Sequence, residues 1–168
     1  DKNEGLTQIP LSNIKRINDT DCFATNIRLQ YDNSANKNLF CLFCIENKDI
    51  VANLNDKNQY ILNLDNYKGF GDYCVVIKYL EPFVDRLTKA IEASGLILSG
   101  NKLVRYENLG NYTGAITIFT KNIKYIHQKE YRFLVENTVN ESITLNIGSL
   151  EEFADIIPIQ GNELVINY

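Results

Sequence analysis

Three features of the sequence predict an α+β fold built on a mostly antiparallel sheet. Short runs dense in β-branched and aromatic residues recur along the chain, and "YCVVIKY" (73–79) is the clearest of them. Only one segment carries a long helical period, "LEPFVDRLTKAIEASG" (80–95). With one crossover helix in place of regular strand–helix alternation, the pattern argues against a doubly wound parallel sheet. One long helix (about 82–94) and one short helix (about 149–155) are expected to pack on the sheet.

Taken in order, residues 1–20 are polar and weakly patterned, and read as a lead-in segment with some mobility. "CFATNIRLQY" (22–31) has period-two character, and "YDNSANKN" (31–38) has the Asn, Ser and Asp content of a loop. "LFCLFCIEN" (39–47) is a continuous apolar run, read as a central strand. A short strand around Tyr60–Leu64 precedes a turn punctuated by the glycines of "GFGD" (69–72), which has neither the later glycine nor the following helix of a phosphate loop.

In the long helix, Pro82 suits the first turn, Phe83, Leu87 and Ile91 share a face, and Gly95 is placed to end it. "KLVRYEN" (102–108), "AITIFT" (115–120), "EYRFLVEN" (130–137) and "SITLNIG" (142–148) read as strands, with a short helix or bend between Lys121 and Lys129. Ser149 with Glu152 three residues on has capping-box spacing for the short helix. "IIPIQ" and "ELVINY" close the chain as strands about a turn at Gly161-Asn162.

The length of 168 residues suits a single domain spanning 1–168. The absence of Met, including at position 1, suggests the C-terminal part of a longer chain. A net charge of −4 disfavours nucleic acid as a partner, because affinity there rests on counterion release. No apolar run approaches the ~18 residues of a membrane span. The heavy use of Asn, Ile and Lys suggests an AT-rich bacterial, phage or parasite genome.

Cys41 and Cys44 form a C-x-x-C, but on a strand that spacing puts the two sulfurs on opposite faces. With one histidine and no second C-x-x-C, no metal site is expected. Cys22, Cys41, Cys44 and Cys74 read as buried reduced thiols of a cytoplasmic protein.

The segment with chemical potential is "KYIHQKEYRFLVEN" (124–137), which holds the single histidine. On a strand, Gln128, Glu130 and Arg132 share one face, and Tyr131, Phe133 and Val135 point to the core. The polar row then meets solvent or lines a cleft, with Lys121, Lys124 and His127 able to close over it. As a site, Glu130 would serve as acceptor or base with Gln128 beside it, and His127 would move a proton. Lys121, Tyr125 and Arg132 would bind the ligand. As structure alone, Glu130 and Arg132 would simply pair with neighbouring strands.

Phe119, Lys121, Tyr125, Gln128, Glu130, Tyr131, Arg132, the run Ile147-Gly148-Ser149-Leu150 and the displaced Ala154-Asp155-Ile156 together carry a resemblance. Over roughly residues 69–158 the chain resembles a poorly characterised family of bacterial and phage proteins marked by F-x-K, then Tyr, then Q-x-E-[YF]-R. That resemblance implies a cytosolic α+β protein from mobile or defence-associated gene neighbourhoods, with no established reaction. Gln128-Lys129-Glu130 is also similar to the Q-x-E of one class of ADP-ribosyltransferases. There the Glu binds the nicotinamide-ribose hydroxyl and stabilises an oxocarbenium-like transition state. The chain departs from that class in lacking a Ser-Thr-Ser strand, and Arg16 and Arg28 sit in no matching context.

The sequence thus leads to two expectations. The first is an accessory or defence-associated binding domain that needs no cofactor and meets a protein or small-molecule ligand. The second is an NAD-consuming transferase that uses Glu130.

Overall fold

A computed structural model describes residues 6–10, 26–30, 37–65, 71–136 and 141–167, the first two stretches as backbone. The fold is α+β, and the chain forms two compact, discontinuous units. One comprises residues 1–43 and 99–142, the other 44–98 and 143–168.

In the first unit, β1 (Leu6–Pro10), β2 (Asn26–Gln30) and β8 (Gly114–Ala115) form a three-stranded sheet in the order β2-β1-β8, both pairings antiparallel. Part of the expected lead-in is therefore a strand. Its apolar residues Leu6 and Ile9 are three apart, so the segment shows no period-two signal. The rest of 1–20, Cys22, the loop at 31–36 and Gly69-Phe70 lie outside the described residues.

The second sheet of this unit has the order β3-β10-β6, from β3 (Lys37–Phe43), β10 (Glu130–Glu136) and β6 (Ile97–Leu103, whose first two residues belong to the other unit). The apolar run "LFCLFC" is thus an edge strand, and the central position goes to the mixed sequence of β10. The register Glu130↔Phe43, Arg132↔Cys41 and Leu134↔Leu39 explains the exchange. β10 is buried on both faces from Arg132 to Val135, whereas Leu39, Phe40, Cys41 and Phe43 stay exposed on the edge. Phe133 is fully buried between the rings of Phe40 (5.7 Å) and Tyr131 (5.2 Å).

β7 (Arg105–Glu107) and β9 (Thr120–Asn122) form a short parallel pair that aligns Tyr106 with Lys121. Only the ends of the expected strand 115–120 enter ladders, and the residues between form a turn closed by Thr120 N–H on the Thr117 carbonyl (2.9 Å). A six-residue 3-10 turn, Ile123–Gln128, links β9 to β10. The Asn122 side chain caps its start, accepting from Lys124 N–H at 3.1 Å. Lys129 ends it in the left-handed region (φ 41°).

In the second unit, α2 (Leu80–Ala93) buries Phe83, Leu87 and Ile91, the three residues its period marks. Phe83 meets Phe153 edge-on at 6.2 Å, and Arg86 lies over the Phe153 ring at 4.8 Å. A short helix, α1 (Asn47–Ala52), gives no sequence period because none of its residues is buried. β5 (Tyr73–Ile77) pairs antiparallel with β11 (Ala154–Pro158), and β4 (Gln59–Asn63) with β12 (Glu163–Asn167).

Two expectations are corrected here. Residues 149–155 form no helix: a single turn at 151–153 leads into β11, which begins at Ala154, and Glu152 pairs with Arg86 (2.8 Å) instead of completing a capping box. Residues 142–148 alternate in burial as a strand would, with Ile143, Leu145 and Ile147 inward, yet enter no ladder among the described residues.

Candidate functional site

β9, the 3-10 turn and the start of β10 bring Lys121, Glu130 and Arg132 into one cluster. Lys121 Nζ donates to Glu130 Oε1 at 2.6 Å, and Arg132 Nε donates to Oε2 at 2.7 Å. The side chains are 14% exposed for Lys121 and Glu130 and 4% for Arg132, so the carboxylate is the hub of a buried ion network. Arg132 also donates to the Ile118 carbonyl, and the Glu130 amide donates to the Tyr106 hydroxyl at 2.9 Å. The parallel β7–β9 register sets this up by placing Tyr106 beside Lys121.

The electrostatics follow from this geometry. Burial opposes ionisation of Glu130, but hydrogen bonds and charge from Lys121 and Arg132 outweigh it and hold the carboxyl below its ordinary value. Burial pushes the Tyr106 hydroxyl up, and the same effect, with Glu130 nearby, pushes up the Cys41 thiol. Cys41 lies opposite Arg132 in the ladder and is exposed, where the sequence suggested a buried thiol. Edge position explains the difference, since β3 has β10 on one side only. A carboxylate held by two cations is a weak base and a good electrostatic anchor.

The other candidates divide between interior and surface. Gln128 lies outside the strand row because Lys129 turns the backbone before β10 begins, and its Oε1 is buried without a hydrogen-bond partner among the described residues. The Tyr125 ring meets two ammonium groups, Lys121 Nζ at 5.2 Å and Lys124 Nζ at 4.8 Å from its centroid. His127 is exposed in the last turn of the 3-10 segment. Among the described residues, no three His, Cys, Asp or Glu side chains gather as a metal site. No described helix is long and apolar enough to cross a membrane.

Compared with protein-family models, curated proteins and solved structures, the chain matches none.

Sequence reasoning missed Tyr106 and the Ile118 carbonyl, because their roles depend on the parallel register and on a loop that reaches back to β10. It also passed over the surface of the turn itself. Ile123 and Ile126 are 41% and 54% exposed, beside the exposed Lys124 and His127. The expectation of a short helix or bend between Lys121 and Lys129 gave no side-chain directions, and only the 3-10 geometry shows these isoleucines outward.

Proposed function

We propose that this chain is a cytoplasmic binding domain of a bacterial or phage accessory system, and that its recognition surface is the 3-10 turn Ile123–Gln128. The carrying observation is the pair of outward isoleucines on the 3-10 turn, beside the exposed Lys124. Two exposed branched side chains offer apolar area to a partner. Lys124 beside them adds a donor and positive charge in a chain whose net charge is −4. That local reversal of sign suits an acidic, apolar segment of another protein.

The Lys121–Glu130–Arg132 network supports this reading as an anchor. It ties the strand before the turn to the strand after it, so the surface is presented with little ordering cost on binding. The same network weighs against the transferase reading. A ribose-binding glutamate needs an open acceptor, and both Glu130 oxygens are engaged in a cluster 14% exposed or less.

The test is a titration of the protein with acidic peptides carrying interspersed leucines, against matched lysine-rich peptides. Binding to the acidic set that drops at least about tenfold in Ile126→Asp, with an unchanged circular dichroism spectrum, supports the reading. Equal binding of both sets, or none, removes it. A parallel titration with NAD separates the second possibility, since saturable binding lost in Glu130→Gln would favour the enzyme.

A further inference from the structure

The second unit carries a surface of its own. In the β5–β11 ribbon, Tyr73, Val75 and Ile77 fall on one face by alternation, and Tyr79 continues the parity just past the strand. Opposite them on β11 lie Pro158, paired with Tyr73, Ile156, paired with Val75, and Ala154, paired with Ile77. Every one of these side chains is apolar or aromatic. Tyr73 is 67% exposed, Val75 53%, Tyr79 60% and Ile156 72%, and Pro158 is exposed as well. The reverse face carries the Lys78–Asp155 ion pair (2.9 Å) with Cys74, Val76 and Ile157 half-buried. The usual arrangement of a solvated strand, polar side out, is therefore inverted.

At roughly 100 Å² for each half-exposed large side chain, the five exposed residues present on the order of 500 Å² of apolar surface. That equals the largest apolar patch of a typical monomer and supplies more than half of the ~800 Å² that each partner contributes to a standard interface. The order of residues indicates what covers it. Along β5 the face reads Tyr73, Val75, Ile77, Tyr79: aromatic, branched, branched, aromatic. The stripe has the same chemistry read in either direction. A two-fold axis lying in the interface and crossing the strands at Val76 sets Tyr73 of one copy against Tyr79 of the other, and Val75 against Ile77. On β11 the same axis sets the large Ile156 against the small Ala154, so that the rows interlock instead of colliding. An isologous interface needs this kind of self-complementarity, and a foreign partner would have no reason to require it.

We infer that the chain forms a two-fold dimer through face-to-face packing of the β5–β11 ribbons, with the β5 strands antiparallel across the interface. The two sheets lie about 10 Å apart, as in a β-sandwich. The dimer places two copies of the turn Ile123–Gln128 in one assembly.

Sedimentation velocity on the full chain over a wide concentration range tests the inference. A concentration-dependent monomer–dimer equilibrium is expected, with the dissociation constant raised at least about tenfold by Val75→Lys while circular dichroism is unchanged. Tyr73→Lys and Tyr79→Glu should each weaken the dimer. The double variant should recover it, because each introduced lysine then faces an introduced glutamate of the other copy. A monomer at every concentration overturns the inference and leaves the face to another partner. A dimer that Val75→Lys does not weaken overturns the interface, and failure of the double variant to recover association overturns the antiparallel arrangement.

Discussion

Replacing Glu130 with alanine removes the carboxylate that two cations share, and the geometry sets both the size and the order of the effects. Deleting one partner of a buried ion pair costs about 3–5 kcal/mol, because the remaining charge stays out of water. Here the deletion strands Arg132, 4% exposed, and leaves the Lys121 ammonium across the vacated space from it. Glu130→Ala is therefore expected to cost about 4 kcal/mol, the middle of that range. Arg132→Met leaves the carboxylate bound to Lys121 and forfeits the bond to the Ile118 carbonyl, for about 2–3 kcal/mol. Lys121→Met leaves Glu130 on Arg132 and should cost only about 1–2 kcal/mol.

Urea denaturation gives the totals. Hydrogen exchange over residues 129–136 assigns the loss to the first unit. The combined change Glu130→Leu with Arg132→Met removes both charges together and should recover much of the stability lost in Glu130→Ala. The reasoning fails if Glu130→Ala costs less than about 1 kcal/mol, or if Lys121→Met is the costliest of the three.

Two more expectations follow from the same unit. The Glu130 carboxyl has its folded value depressed, so its contribution is fully present above the unfolded value of about 4.3 and is lost as pH falls through the folded one. The urea midpoint should drop between neutral and strongly acidic pH, and Glu130→Gln should flatten that drop; an equally steep acid limb in the variant would assign it to other carboxylates. Phe133, fully buried between Phe40 and Tyr131, should cost about 3–5 kcal/mol when cut to alanine, read by the same denaturation. A loss below about 1.5 kcal/mol would mean that the site collapses to fill the void.

Much of the fold was legible where local pattern and burial agree. The strand at Tyr73–Ile77 and the helix at Leu80–Ala93 carry undiluted periods, and Phe83, Leu87 and Ile91 are buried as their spacing implies. Tyr131, Phe133 and Val135 turn to the interior as alternation requires. What alternation could not show was the burial of the opposite row. Arg132 is buried because a loop carbonyl and a carboxylate receive its guanidinium, and neither is encoded in the period of β10. Lys121 and Glu130 were both marked as candidates, but their contact depends on the 3-10 turn between them, a conformation with weak sequence signals. The swap of edge and centre between β3 and β10 has the same origin. An apolar run is compatible with either position, and only the neighbours decide.

The 3-10 turn between Asn122 and Lys129 has one further consequence. Its ends are pinned independently, one by the β9 register with Tyr106 and the other by the β10 register with Phe43. The 2.6 Å contact from Lys121 to Glu130 closes the gap between those two pins. One inserted or deleted residue would displace a pinned end by about 2 Å along the turn, more than a charged hydrogen bond tolerates. The exposed side chains of Ile123 and Ile126 lie outside that register constraint. The segment is therefore a spacer of fixed length with a replaceable outer surface, so binding preference can change here by substitution, while insertions and deletions are closed to it.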